Sequence, residues 1–180
     1  MRAAVVVPVK AFSRAKARLA PALDEAARAE LARRMADRVL DAAGSLPVHV
    51  ACDDDEVAAW ARARGASVVW TEGLDLNGSV GAALAVVDAD VVVVAHADLP
   101  RASDLTAAVV AEGVALVPDR RHDGTNVLCL PTGTAFELKY GPGSFARHRA
   151  EAARVGLRCA VLELPDLMWD VDEPSDLPCD

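Results

Sequence analysis

The chain has no pair of cysteines at metal-binding or redox spacing, no apolar run long enough to cross a bilayer, and no overall excess of positive charge. Its four cysteines, Cys52, Cys129, Cys159 and Cys179, stand far apart, so neither a disulfide frame nor a zinc site is indicated. They read as small buried residues of a reducing cytosol. The longest aliphatic run, Val91 to Ala95, falls far short of a membrane span. With no signal peptide or lipidation motif to read, a soluble cytoplasmic protein without a membrane partner is expected. The formal net charge of −8 excludes a general nucleic-acid binder, which needs a basic face to neutralise phosphates. Lysine is scarce beside arginine and alanine is abundant, as in a GC-rich genome, so periodicity carries more weight here than composition.

What is present is enough apolar material for one core. The 180 residues are 53% hydrophobic and 26% charged, which excludes disorder and fits a single domain over residues 1–180. The charge is unevenly placed. Residues 1–20 carry Arg2, Lys10, Arg14, Lys16 and Arg18 with no acid, whereas residues 163–180 carry seven acids and no base. A basic beginning and an acidic end could form two halves of one site.

Ala3 to Val9 is an apolar run without alternation, the pattern of a parallel strand buried on both faces. Asp24 then caps a helix with the stripe Leu31, Met35, Val39. The unit repeats: a strand at Val48 to Cys52, a helix with Asp53 to Glu56 in its first turn and Gly65 at its end, and a strand at Ser67 to Thr71. A helix opened by Asn77 runs through Val87, and Asp90 to Ala95 is a strand. A further helix is predicted from Ser103 or Asp104 toward Glu112, with strands at Val114 to Val117, Asn126 to Leu130 and Arg158 to Leu162 and a helix over Ser144 to Val155. This alternation predicts an α/β fold with a doubly wound, mainly parallel sheet, whose ligands sit beyond the carboxyl ends of the strands.

Several stretches fall at that edge. The loop after the first strand puts Lys10, Arg14, Lys16 and Arg18 close together, able to hold a polyphosphate or merely to be solvated. It contains neither G-x-x-x-x-G-K-[ST] nor G-x-G-x-x-G. Asp98, in His96-Ala97-Asp98-Leu99-Pro100, emerges where a hard cation could be held, since Asp104 is the better cap for the following helix; His96 is read as packed. Asp170 and Asp172 lie on one side of an extended segment and can share a divalent ion, or form an acidic surface turn. With Asp98 they make a three-carboxylate magnesium site. Asp123-Gly124 favours a tight turn, and Tyr140 to Phe145 is a glycine-rich approach to a helix N-terminus where backbone N–H groups and the Ser144 hydroxyl could receive an anion. Asn77 is a helix cap, or a contact to a base or ribose.

These motifs, in this order, resemble the guanylyltransferase family of coenzyme F-420 biosynthesis, the phosphoenolpyruvate and 2-phospho-L-lactate guanylyltransferases. The resemblance covers Pro8-Val9-Lys10 with Lys16 and Arg18, Leu76-Asn77, His96 to Pro100, Pro118 to Asn126, Tyr140 to Phe145 with His148, and Asp170-Val171-Asp172. It implies a Rossmann-like nucleotidyltransferase sheet related to molybdenum-cofactor guanylyltransferases. GTP would be the donor, Mg²⁺ the cofactor and a small phosphorylated carboxylic acid the acceptor, with a homodimer left open. By position, Asp98, Asp170 and Asp172 would hold metal; Lys10 and Asp98 would act in catalysis; Lys16, Arg18 and Asn77 would contact the nucleotide. Lys10, Thr125, Gly141 and Ser144 would contact the acceptor. Family members usually continue with a short helix where this chain reaches Asp180, so the packing around Asp172 is expected to differ.

The reaction so implied is in-line attack of an acceptor phosphate oxygen on the α-phosphorus of GTP. A phosphate monoester is already largely ionised at neutral pH and needs no general base, in keeping with a sequence that offers carboxylates and cations but no nucleophilic triad. Phosphoenolpyruvate, 2-phospho-L-lactate and 3-phosphoglycerate share the same recognisable groups. A molybdopterin or sugar-phosphate nucleotidyltransferase, whose glycine-rich first loop is absent here, and a nucleotide-binding module without turnover are the rival readings.

Overall fold

The apolar runs become strands because each can bury both of its faces. In the computed structural model, which describes residues 1–177, the principal elements are β1 (Ala3–Pro8), α1 (Glu25–Ala42), β2 (Val48–Cys52), α2 (Asp55–Ala63), β3 (Ser67–Trp70) and α3 (Leu76–Val86), followed by β4 (Val91–Ala95), β5 (Val114–Pro118), β6 (Thr125–Pro131), α4 (Ser144–Arg154), β7 (Cys159–Val161) and α5 (Pro165–Met168). Val5 and Val7 of β1 enter one core with Val39 of α1 and Val57 of α2, whereas Ala4 and Val6 enter the other with Val80 of α3 and Phe145 and Ala152 of α4. The sheet is thus covered by helices on both sides, and its central strands have no polar face to show.

The strand order is β3-β2-β1-β4-β6-β5-β7. All neighbours are parallel except at β6, which runs antiparallel to both β4 and β5. The inversion follows from the short connection after β5, where the Asp119 carboxylate accepts the N–H groups of Arg121, Asp123 and Gly124 at 2.9, 3.0 and 2.9 Å and closes a hairpin around the Asp-Gly pair. Asp24, Asp54 and Asp75 cap α1, α2 and α3 by accepting the N–H groups of Ala27, Val57 and Gly78. No helix among the described residues is long and apolar enough to cross a membrane.

Three expectations need correction. Asn77 does not cap α3: Asp75 has the extended backbone that a cap requires (φ −74°, ψ −178°), and Asn77 lies inside the first turn. The helix expected from Ser103 or Asp104 to Glu112 is only a 3₁₀ turn, Thr106–Ala108. Leu105 donates its N–H to Ala42 O and anchors that stretch to the end of α1, and the β-branched pair Val109-Val110 then runs toward β5. Among the cysteines, Cys52 and Cys129 are buried but Cys159 is exposed on the edge strand β7; Cys179 lies outside the described residues.

The edge strand is seated by a glycine. Gly113 has φ +76°, and a Cβ there would run into the carbonyl of Arg158, the group that accepts the Val114 N–H at 2.8 Å. Gly113→Ala therefore combines left-handed strain with a backbone clash, and should lower stability by about 2 kcal/mol or more. Chemical denaturation monitored by circular dichroism measures it, and an unchanged midpoint would contradict the close approach of β7.

Candidate active site at the carboxyl edge of the sheet

The chain leaves β1 toward β2 and β3, then returns to place β4 on the other side of β1. Loops on either side of such a switch point diverge and leave a crevice at the carboxyl ends of the strands. A cleft of about 920 Å³ opens there, walled by the loop after β1, the end of β2 at Cys52 and Asp53, the turn before α3, and the segment from His96 to Asp98. Lys10, Arg14, Lys16 and Arg18 all line it, as do Asp98 and Asp172.

Lys16 lies at the centre of the charged groups. Its Nζ donates to Asp98 Oδ2 at 2.5 Å and to Asp172 Oδ1 at 3.1 Å, and its side chain is only 11% exposed. The backbone at Lys16 is left-handed, φ 56° and ψ 38°, between two 3₁₀ turns, a conformation that costs a non-glycine residue about 1 kcal/mol or more. The ion pairs supply the compensation. Burial pulls the Lys16 ammonium toward neutrality, but the two carboxylates outweigh it and leave its pKa raised. Burial likewise disfavours charge on Asp98, and Lys16 reverses that and holds the carboxyl below its usual range.

The acidic segment reaches the site through its backbone. The Val171 N–H donates to Asp98 O at 3.3 Å, and the Val171 side chain is buried against Leu19 and Met35. The Asp172 and Glu173 N–H groups donate to Asp176 Oδ2 at 2.9 and 2.8 Å, while Arg120 donates to Asp176 Oδ1 at 2.7 Å. Trp169 packs against the guanidinium groups of Arg101 and Arg120, 3.7 and 3.5 Å from its ring centre. Asp170 stands in the shadow of this arrangement: burial first, then the charges of Asp98 and Asp172, push its carboxyl up to about 6.

The three-carboxylate metal site is not closed in this conformation. No three His, Cys, Asp or Glu side chains among the described residues are close enough together to hold a metal ion, because the Lys16 ammonium takes the position between Asp98 and Asp172. The donor chemistry nevertheless fits a hard divalent cation. Asp98 Oδ1 is buried with no hydrogen-bond partner, and Asp98 and Asp172 share one ammonium, with the charge of Asp170 close enough to be felt by both.

Asn77, Thr125, Gly141 and Ser144 do not line the cleft; they form a polar group beside it. Asn77 holds the Tyr140 backbone at both ends, its Oδ1 accepting the Tyr140 N–H at 2.8 Å and its Nδ2 donating to Tyr140 O at 3.3 Å. Ser144 Oγ accepts the Thr125 N–H at 3.0 Å and the Ser144 N–H donates to Gly141 O, so the hydroxyl expected to meet an anion is engaged within the protein. Gly143 N–H donates to the Asp123 carboxylate, tying the hairpin tip to the start of α4. His148 Nε2 accepts the Lys139 N–H at 2.9 Å, which leaves the proton on Nδ1 to donate to Thr125 Oγ1 at 3.0 Å. Burial first, then Arg147, lowers its pKa to about 4 and keeps this tautomer neutral. His96 connects the two groups: its ring lies 5.2 Å from that of Tyr140 and beside the Lys16–Asp98 pair, with Nε2 unbonded.

Sequence reasoning missed Asp119, Asp176 and the linking position of His96. Asp176 had a legible signal, since Glu173-Pro174-Ser175-Asp176 is a capping box with proline at the first helical position. Asp119 also had one, since its partners lie two to five residues on, in the turn that the Asp-Gly pair marks; His96 had none, because its neighbours Tyr140 and Lys16 come from distant segments.

Known proteins resemble this chain over nearly its whole length. Residues 3–179 match the family described as guanylyl transferase CofC like. Relatives include phosphoenolpyruvate guanylyltransferases of Sphaerobacter thermophilus, 37% identical over 98% of this chain and 91% of that protein, and of Roseiflexus castenholzii, 39% identical over 96% and 84%. A 3-phospho-D-glycerate guanylyltransferase of Phenylobacterium zucineum is 33% identical over 97% of this chain and 87% of that protein. Among solved structures, a nucleotidyl transferase from Methanothermobacter superposes with a TM-score of 0.68 at 17% identity, covering 98% of this chain and 94% of that one. Glucosyl-3-phosphoglycerate synthase from Mycobacterium tuberculosis, solved with Mn²⁺ and UDP, superposes at 0.57 and 15% identity, covering 91% and 70%. The fold is therefore the α/β nucleotidyltransferase fold.

The strained protonation of Asp170 has a consequence for stability. Its carboxyl ionises near 3.8 when unfolded and at about 6 when folded, so stability is highest below the lower value and is lost as pH rises through the higher one. In the presence of a chelator, Asp170→Asn should match the parent's Tm near pH 4 and exceed it at pH 7.5. A gap that is the same at both pH values would refute the assignment.

Proposed function

The chain belongs to the CofC-like guanylyl transferases, and from that premise we propose that it transfers GMP from GTP to the phosphate of phosphoenolpyruvate, releasing diphosphate, in coenzyme F-420 biosynthesis. Acceptors of the same chemistry, 2-phospho-L-lactate and 3-phospho-D-glycerate, are included in the reading. Residues 1–180 act as one cytoplasmic nucleotidyltransferase unit.

The observation that carries the proposal is the meeting of Lys16, Asp98 and Asp172 inside a cleft that Lys10, Arg14 and Arg18 also line. Two anions must be brought together there, the triphosphate and the phosphorylated acceptor, and their mutual repulsion is the main obstacle. Lys10, Arg14 and Arg18 offset that repulsion along the triphosphate. The acceptor phosphate, already ionised at neutral pH, attacks without a base. Alignment of the attacking oxygen with the scissile P–O bond is then the main contribution of the fold. Thr125, Gly141 and Ser144, stitched to the hairpin tip and to Asn77 beside the cleft, would meet the acceptor.

Asp98, Asp170 and Asp172 are the residues that would hold Mg²⁺, for which the unpaired Asp98 Oδ1 is suited. The ion would supply positive charge opposite the phosphoryl oxygens.

Diphosphate release measured with GTP and each of the three acceptors tests the proposal. Turnover with at least one is expected, and Asp98→Ala should lose about 10²-fold or more in kcat by loss of electrostatic stabilisation. Absence of GTP-dependent diphosphate release with all three, or near-normal turnover of Asp98→Ala, would overturn it.

A further inference from the structure

The Lys16 side chain is nearly enclosed, yet it belongs to an exposed basic loop and is reached only through a left-handed backbone. Its neighbours Lys10, Arg14 and Arg18 face the solvent side of the same cleft. A lysine that served the phosphates alone would have no reason to be buried between Asp98 and Asp172 and to carry strain there. From this juxtaposition we infer that Lys16 is an internal placeholder for the divalent cation: its ammonium holds Asp98 and Asp172 together in the free protein and is exchanged for the metal when the metal binds. The inference rests on the reading that these carboxylates hold a divalent ion, and it goes further by assigning an order of events.

The charge balance supports exchange. Asp98 and Asp172 carry two negative charges against the single positive charge of Lys16, with Asp170 adding to the demand from beside them, so the site is underneutralised with the lysine in place. A divalent ion meets that demand better than an ammonium, which donates hydrogen bonds in fixed directions to two oxygens and leaves Asp98 Oδ1 unbonded. Once released, Lys16 relaxes from its left-handed conformation and moves outward along the loop toward Lys10 and Arg18, where the phosphates of the nucleotide would be met. Metal entry therefore delivers a fourth cation to the nucleotide side, and metal and nucleotide bind with positive coupling.

Two measurements made without nucleotide test this. The first is Mn²⁺ titration, followed by the electron paramagnetic resonance of the free ion, of the parent protein and of Lys16→Met. Removing the competing ammonium should tighten Mn²⁺ binding about tenfold, a coupling of ordinary size, and the Tm of Lys16→Met should fall in chelator and recover with Mn²⁺. A purely structural lysine predicts the opposite, since the site would loosen and Mn²⁺ bind no tighter; that result, or no binding in either protein, overturns the inference. The second uses the parent protein, so it decides the matter even where the variant fails to fold. Acetylation by acetic anhydride, read by peptide mass spectrometry, should find Lys16 protected in chelator and several-fold more reactive with saturating Mg²⁺, relative to the exposed Lys10 as an internal standard. Unchanged protection of Lys16 under Mg²⁺ overturns the inference. Neither measurement involves GTP, so failure of guanylyl transfer would appear only in the diphosphate assay and remain distinguishable.

Discussion

Like charges brought to one point must be neutralised before anything else at the site can be stable, and this constraint shapes the carboxyl edge of the sheet. Asp98 follows directly on β4, a strand buried along its whole length, and Asp170 and Asp172 arrive on a segment anchored to it through the Val171 N–H. The fold brings these acids together from positions more than seventy residues apart and then draws Lys16 inward from the start of the chain to bridge Asp98 and Asp172. The peculiar turns of the loop after β1 follow from this requirement. So does the use of Asp176 as a backbone anchor: with both oxygens engaged by N–H groups and Arg120, it adds structure to the acidic segment without adding free charge to the site.

The framework was largely legible because its determinants are local. Non-alternating valine runs announce strands buried on both faces, and aspartates at helix starts announce caps; β1, β2, β4 and α1 lie where those signals place them. The expected helix before β5 failed for a tertiary reason, the anchoring of Leu105 to the end of α1. Asn77 was misplaced by two residues because Asn and Asp are equally good caps, and only the backbone geometry at Asp75 distinguishes them. At the site, the sequence marked the basic loop and Asp98 for the carboxyl edge, since these follow the ends of β1 and β4. It could not say that Lys16 would turn into the carboxylates while Lys10 and Arg18 face the cleft. That choice depends on a backbone conformation with no signature in residue type, and on partners 82 and 156 positions away.

The polar group formed by Thr125, Ser144, His148 and Tyr140 follows a different physical logic. It is nearly dry and nearly satisfied, and its imidazole is neutral. Such a network resists rearrangement, because each broken hydrogen bond would leave a buried polar atom unpaired. The carboxyl edge thus has a cleft whose charges can be redistributed and, beside it, a polar group whose hydrogen bonds fix the backbone, and His96 lies between the two.

The reversed direction of β6 has an evolutionary consequence. Because β6 runs against β4, its first residues lie at the same edge as the carboxyl ends of the parallel strands, and the hairpin tip formed by residues 119–124 stands among the active loops. The chain then leaves β6 at the far edge and returns through residues 132–143, a stretch with no regular element of its own. Changes in the length or composition of that return path can remodel the neighbouring wall without shifting β1 or β4, which carry Lys16 and Asp98. Descendants of one such fold can therefore diverge along this return path while keeping β1, β4 and the loops that follow them in place.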